Sequence, residues 1–217
     1  MLHDLSRVLV VDGVTGAGKS SVLRALRSFL DVSPRGPLTE FIYEDDTLGD
    51  IMDQVRDPEW RKAPSFDALE AVVMRVEKAL AAVPSRRFVL ERFHLTAYAL
   101  HPDWKRLKQY DRRLANLGAR QILLTYPSCL AEKRAIERPD RDSQQWSAGM
   151  DDWYGSRRSA VAAVVQSQRR RWSALQRSAL PFLHVDTREN RWPSYAEAAL
   201  VFWNDGAPVD GERAPRT

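Results

Sequence analysis

The sequence predicts an open, doubly wound parallel α/β sheet in a single domain, and three observations lead there. Short apolar runs rich in β-branched and aromatic residues alternate with longer stretches patterned at helical spacing, as βαβ units require. The first of these runs flows directly into a glycine-rich turn and then into an amphipathic stretch. The length, 217 residues, suits one sizeable core and falls short of two ordinary domains joined by a linker. A composition of 44% hydrophobic and 29% charged residues excludes a disordered chain.

The strand candidates are Arg7–Val11, Leu38–Tyr43, Arg87–Leu90, Gln121–Thr125 and Phe182–Val185. Each is short and almost wholly apolar, as expected of strands covered on both faces. Helical spacing marks Lys19–Leu30 through Val22, Leu23, Leu26 and Leu30. It marks Phe66–Val83 through Leu69, Val72, Val73, Val76 and Leu80, ending before Pro84. Asp103–Leu117 ends at Gly118, a common helix stop. One long helix is expected from about Asp151 to Leu180, and a last one over Tyr195–Trp203. Residues 45–64 and 137–150 fit no regular element and read as loops over a site. The expected organisation is a domain over 1–203, with a lid at about 134–150, and a mobile tail over 204–217.

The net charge is +4, and the 33 basic residues divide into 6 Lys and 27 Arg, so the positive charge is almost all guanidinium. That chemistry suits phosphate-bearing ligands, although most of these arginines are expected on solvated faces. No basic stripe interleaved with aromatics is evident, which argues against a nucleic-acid partner. A single cysteine, Cys129, excludes an internal disulfide and a cysteine-rich zinc site. The N-terminal apolar run is short and enters the glycine-rich turn at once, so it reads as a buried strand rather than a leader. No run reaches membrane-spanning length, and a cytoplasmic location with no membrane partner is expected.

The segment Gly13–Ser20, GVTGAGKS, fits G-x-x-x-x-G-K-[ST] at every fixed position, with a strand before it and a helix after it. Gly13, Gly16 and Gly18 let the backbone wrap phosphate oxygens with its N–H groups inward, and the following helix adds its positive end. Lys19 can reach the β- and γ-phosphates of ATP, and the Ser20 hydroxyl can ligate Mg²⁺. The nucleotide-binding set is therefore Gly13, Val14, Thr15, Gly16, Ala17, Gly18, Lys19, Ser20 and Ser21. A GTPase would carry N-K-x-D at a late strand end, where this chain has TYPSC and HVDTRE. At the end of the third strand stand Glu91 and Arg92, on the edge where parallel sheets meet their ligands. A carboxylate there can hold Mg²⁺, directly or through water, and an arginine can meet a phosphate.

These features together resemble the thymidylate kinase and deoxynucleoside kinase group of P-loop kinases. Glu91–Arg92–Phe93 is similar to that group's D/E-R-[YFHS] motif, and the following HLTAYA to the thymidylate kinase continuation. The resemblance implies a P-loop NTPase fold with strand order 2-3-1-4-5, a Mg²⁺-positioning Glu91 and a substrate- or phosphate-contacting Arg92. It also implies an acceptor-side acid after the second strand, IYEDD, which falls on Glu44 or Asp45. The arginine-rich stretch EKRAIERPDRD resembles the group's lid and carries Arg134, Arg138 and Arg141, which would offset charge on the transferred phosphoryl group.

No stretch matches the residues by which those kinases read their nucleoside. The resemblance implies a nucleoside or nucleoside monophosphate as acceptor, with an antibiotic or other secondary metabolite as the alternative. A nucleotide-dependent switch protein is the rival from a different class. By analogy alone, Phe66–Val83 could pair two copies as a homodimer. His3, His94, His101 and His184 form no metal-ligand spacing, and only His94 falls near the strand edge. Trp60, Phe66 and Tyr98 read as core rather than as stacking platforms. Arg169–Arg171 reads as a water-facing run, and Cys129 as structural.

Overall fold

The computed structural model describes residues 6–31, 38–48, 66–137 and 143–205. Five strands, β1 (Val8–Gly13), β2 (Thr39–Ile42), β3 (Arg87–Glu91), β4 (Arg120–Thr125) and β5 (Phe182–Asp186), form one all-parallel sheet. Their order is β2-β3-β1-β4-β5, as expected. The central strand explains the layering. All of β1 is buried, and alternate residues serve opposite faces.

Val8 and Val10 join Phe88, Leu90 and Leu123 under helices α3 (Asp67–Ala82), α4 (His94–Leu100) and α5 (Trp104–Asn116). Leu9 and Val11 join Val89, Ile122 and Leu124 on the other face. That face is covered by α1 (Lys19–Asp31), the first half of α7 (Arg157–Leu175) and α8 (Trp192–Asp205). Register then places the chemistry. Val11 of β1 lies beside Glu91 of β3, and Gly13 beside Leu124 of β4. The glycine-rich turn therefore leaves the sheet at the same edge as Glu91 and Arg92. Two short elements complete that edge: α2 (Glu44–Leu48) after β2, and a π-helical turn (Glu132–Ile136) after β4.

Three expectations are corrected. The long helix expected from Asp151 is two helices, α6 (Ser143–Tyr154) and α7. Gly155 takes a left-handed φ of +77° between them, and the Ser156 side chain caps α7 by accepting from the Ser159 N–H. Parts of both stretches taken as irregular, 45–64 and 137–150, are helical, since α2 covers 45–48 and α6 starts at Ser143. The Arg169–Arg171 run does not simply face water, because Arg171 is buried. Trp60, most of 45–64, Arg138, Arg141 and nearly all of the tail lie outside the described residues. Among the described residues no helix is long and apolar enough to cross a membrane.

Candidate functional site

The glycine-rich turn is shaped by backbone conformation that only glycine adopts readily. Gly16 has φ +77° and Gly18 φ +86°. Neither has room for a side chain. A Cβ on Gly16 would stand 2.1 Å from the Arg134 carbonyl oxygen, and one on Gly18 2.2 Å from the Trp192 ring. The loop is thus clamped from outside by the π-helical turn and by the first residue of α8. Tyr126, just past β4, adds a third hold by donating its hydroxyl to the Thr15 carbonyl at 2.8 Å. Val14 and Ala17 are buried, and the Ala17 N–H closes the loop on the Val14 carbonyl at 3.1 Å. The Ser20 hydroxyl group sits on an exposed residue at the start of α1, with Ser21 half-buried behind it.

Lys19 is buried at the base of the loop, where its Nζ donates to the Val14 carbonyl at 3.2 Å. Burial pushes its ammonium down to about 7, with Arg92 and Arg171 adding to the fall and Glu44 and Glu91 opposing it. A phosphate oxygen placed beside this amine would add to the two carboxylates in favouring its charged form. Glu91 is likewise buried, which raises its carboxyl; Lys19 and Arg92 pull it back and Glu44 raises it further.

Arg92 follows at a left-handed φ of +56°, unusual for a long side chain and held by its N–H donating to the Val11 carbonyl at 2.9 Å. Its Nε meets Glu44 Oε2 at 3.1 Å. Glu44 itself opens α2, which Thr47 fastens to β3 by donating to the Glu91 carbonyl at 2.7 Å. Of Glu44, Asp45 and Asp46, Glu44 is the one that reaches Arg92; Asp45 and Asp46 are exposed.

Arg134 lies on the opposite flank. Its guanidinium donates to the Thr187 carbonyl at 2.8 Å and stacks 4.9 Å from the Tyr126 ring and 5.7 Å from that of Trp192. Tyr126, Thr187 and Trp192 were not singled out in the sequence. The available signal was their position just beyond the C-terminal ends of β4 and β5, where parallel sheets hold ligands.

Beneath the loop, Asp12 is fully buried and accepts from the Gly13 N–H at 2.7 Å and the Thr96 hydroxyl at 2.9 Å. Arg171 Nε donates to it at 2.9 Å. Burial alone would raise the Asp12 carboxyl. The charges of Arg171 and Arg92, with hydrogen bonds from Thr96 and Arg171, outweigh burial and hold it below the usual carboxylate range. These residues too were missed in the sequence.

The remaining candidates fall away from the site. His94 is buried and faces Asp111, Nε2 to Oδ1 at 3.2 Å. Burial by itself would raise Asp111, but His94, Ser178 and the Ala179 N–H together hold it low. Tyr98 and Phe66 are core residues, and Cys129 is exposed. Among the described residues no group of three or more His, Cys, Asp or Glu could hold a metal by itself.

The arrangement can cradle phosphate oxygens with backbone N–H groups and a buried lysine, beside a carboxylate and an arginine. Ser20 and Glu91 are oxygen donors of the kind Mg²⁺ takes alongside a substrate's phosphates. No protein-family profile matches the chain, and no curated protein does. Among solved structures it is similar to the YorR protein of Bacillus subtilis, in complex with phosphorylated GDP. That likeness has a TM-score of 0.53 at 13% identity, covering 90% of this chain and 94% of that one. A sugar kinase from Janibacter sp. matches with a TM-score of 0.48 at 15% identity over 96% and 99% of the two chains. The first of these establishes the shared fold.

Proposed function

We propose that the protein is an ATP-dependent phosphotransferase that moves the γ-phosphoryl group of ATP to a small molecule, a nucleoside or nucleoside monophosphate. The observation that carries this reading is the adjacency of two parts at one sheet edge. The clamped loop Gly13–Ser20 with its buried Lys19 lies next to the Glu91–Arg92–Glu44 constellation. A protein that only binds nucleotide needs the first part; phosphoryl transfer needs the second. The complex of the similar YorR structure with phosphorylated GDP supports a nucleotide ligand.

In this reading the loop backbone and Lys19 hold the β- and γ-phosphates. Ser20 and Glu91 position Mg²⁺, which supplies charge neutralisation of the phosphates when bound. The donor's base lies on the flank built by Arg134, Tyr126 and Trp192, since these residues wall the loop's outer side. On the other flank Glu44 is the general base or acceptor-orienting acid, held in place by Arg92. Arg138 and Arg141 keep the expected lid role of offsetting charge on the transferred group, whereas Arg134, expected to share it, donates instead to the Thr187 carbonyl beside the loop.

ATP consumption with Mg²⁺ against a panel of nucleosides, nucleoside monophosphates and nucleoside- or aminoglycoside-type antibiotics tests it, with Lys19→Ala alongside. Turnover with one nucleoside or monophosphate, lost in the variant, supports the reading and names the acceptor. Turnover with an antibiotic alone keeps the phosphotransferase and replaces the acceptor class. ATP binding without turnover on any member of the panel counts against a nucleoside kinase and favours a nucleotide-controlled switch.

A further inference from the structure

Helix α7 contributes one charge that neither the donor nor the acceptor role uses. Arg171 is buried to 3% exposure although it ends a run of three arginines. Its Nε donates to Asp12 Oδ1 at 2.9 Å and its Nη2 to the Thr96 hydroxyl at 3.0 Å. Its Nη1 turns back to Ser167, meeting the carbonyl at 3.3 Å and also the hydroxyl. Asp12 is equally enclosed. It accepts from the backbone N–H of Gly13 at 2.7 Å, of Phe93 at 3.3 Å and of Thr96 at 3.2 Å.

Those three amides belong to two separate parts of the site. Gly13 opens the phosphate loop, whereas Phe93 follows Arg92, which is in the left-handed conformation, and Thr96 lies in the first turn of α4. One carboxylate therefore binds loop and turn together, and Arg171 is the counter-charge that keeps it ionised and oriented. A buried ion pair of this kind is commonly no more stabilising than apolar side chains of similar volume. The position of Arg171 on α7 is one where a leucine would serve packing: Val164 and Leu175, seven before and four after, are both buried. Stability alone does not account for an arginine there.

We propose that Arg171 is a positioning residue of the donor site, fixing through Asp12 both the first amide of the phosphate loop and the turn that presents Arg92. The inference rests on the phosphotransferase reading and adds a residue to it. It also ties the loop to α7, the helix that follows α6. The electrostatics agree, because Arg171 joins Arg92, Glu44 and Glu91 among the charges acting on Lys19.

The test is calorimetric titration of the folded protein with MgADP, well below the melting midpoint. The proteins compared are the parent, Arg171→Met, Arg171→Lys, Asp12→Asn, the Asp12→Asn/Arg171→Met pair, and Lys19→Ala. Arg171→Met and Asp12→Asn should each weaken MgADP by about tenfold or more, the scale of losing a buried charge-assisted partner. The pair should bind no worse than either single variant, since both break one constellation. Arg171→Lys should recover only part of the loss, keeping the charge without the fork. Parent affinity in a folded Arg171→Met protein of lower melting point, with Lys19→Ala impaired, would make Arg171 a packing residue. That result overturns the inference and leaves the phosphotransferase reading standing. Parent affinity in Lys19→Ala as well would remove both. Should Arg171→Met not fold, Arg171→Lys decides: a several-fold loss with unchanged circular dichroism supports the role, and parent affinity overturns it.

Discussion

The two flanks of the β1–β3 edge are built from different materials. The flank proposed for the donor is held by backbone and rings. Gly16 rests on the Arg134 carbonyl, Gly18 on Trp192, and Thr15 takes the Tyr126 hydroxyl. The flank proposed for the acceptor is held by charge. Glu44 sits on a five-residue helix, meets Arg92 at 3.1 Å, and keeps about a third of its side chain exposed. A triphosphate is the same object in every reaction that uses it, so a rigid main-chain cradle serves. An acceptor differs between enzymes, and side chains on a short, partly exposed element can be exchanged without disturbing the sheet.

Breaking the donor flank should have the largest effect. Gly16→Val meets both a left-handed backbone and a carbonyl 2.1 Å from its Cβ. It should weaken MgATP by roughly a hundredfold or more, read by equilibrium titration, since left-handed strain and overpacking each cost about 1–3 kcal/mol.

Lys19→Met should abolish turnover yet stabilise the ligand-free protein. The folded lysine titrates near 7 rather than 10.5, so its buried charge opposes folding fully below pH 7 and not at all above 10.5. Thermal unfolding should therefore show Lys19→Met gaining about 2 kcal/mol, or roughly 4–8 °C, at pH 7 and below. The gain should shrink as pH rises from 7 toward 10.5.

The acceptor flank should break more selectively. Glu44→Gln should slow transfer by about 10²-fold, the ordinary scale for a positioned acid or base, with MgADP affinity within a factor of about two. Initial rates and titration on the same preparation separate the two effects. Asp45→Asn should change neither by more than about twofold, because Asp45 is exposed and Glu44 makes the contact with Arg92. An equal loss from Asp45→Asn would shift the acceptor role by one residue.

The contrast also accounts for what could be read in the sequence. The donor cradle depends on glycines at fixed spacing between a strand and a helix, and all of that is local. The five strands were equally local: each apolar run lies within two residues of its observed strand at either end. Elements without an apolar pattern were harder. α6 runs SQQWSAGMDDWY, with too few apolar residues to show a helical face separate from that of α7. The break was nevertheless marked by Gly155 and the capping Ser156. Arg171 was hidden by its company in an arginine run. Its spacing of seven from Val164 and four from Leu175 places it on the buried face, and that signal outranks its residue type. His94, given no chemistry in the sequence despite its position after the strand edge, turns inward to Asp111. Which acid faces Arg92 depends on how α2 packs on β3 through Thr47, a long-range contact that no local pattern carries.

The central claim is that the two flanks act together in transfer, and following the phosphoryl group itself tests it most directly. The protein is incubated with Mg²⁺, ATP labelled in its γ-phosphoryl group, and the nucleoside and nucleoside monophosphate panel, and the labelled products are separated. The account predicts label on one acceptor, lost in Lys19→Ala and sharply reduced in Glu44→Gln. Label appearing only as inorganic phosphate, at a rate indifferent to every acceptor and to Glu44, would contradict it.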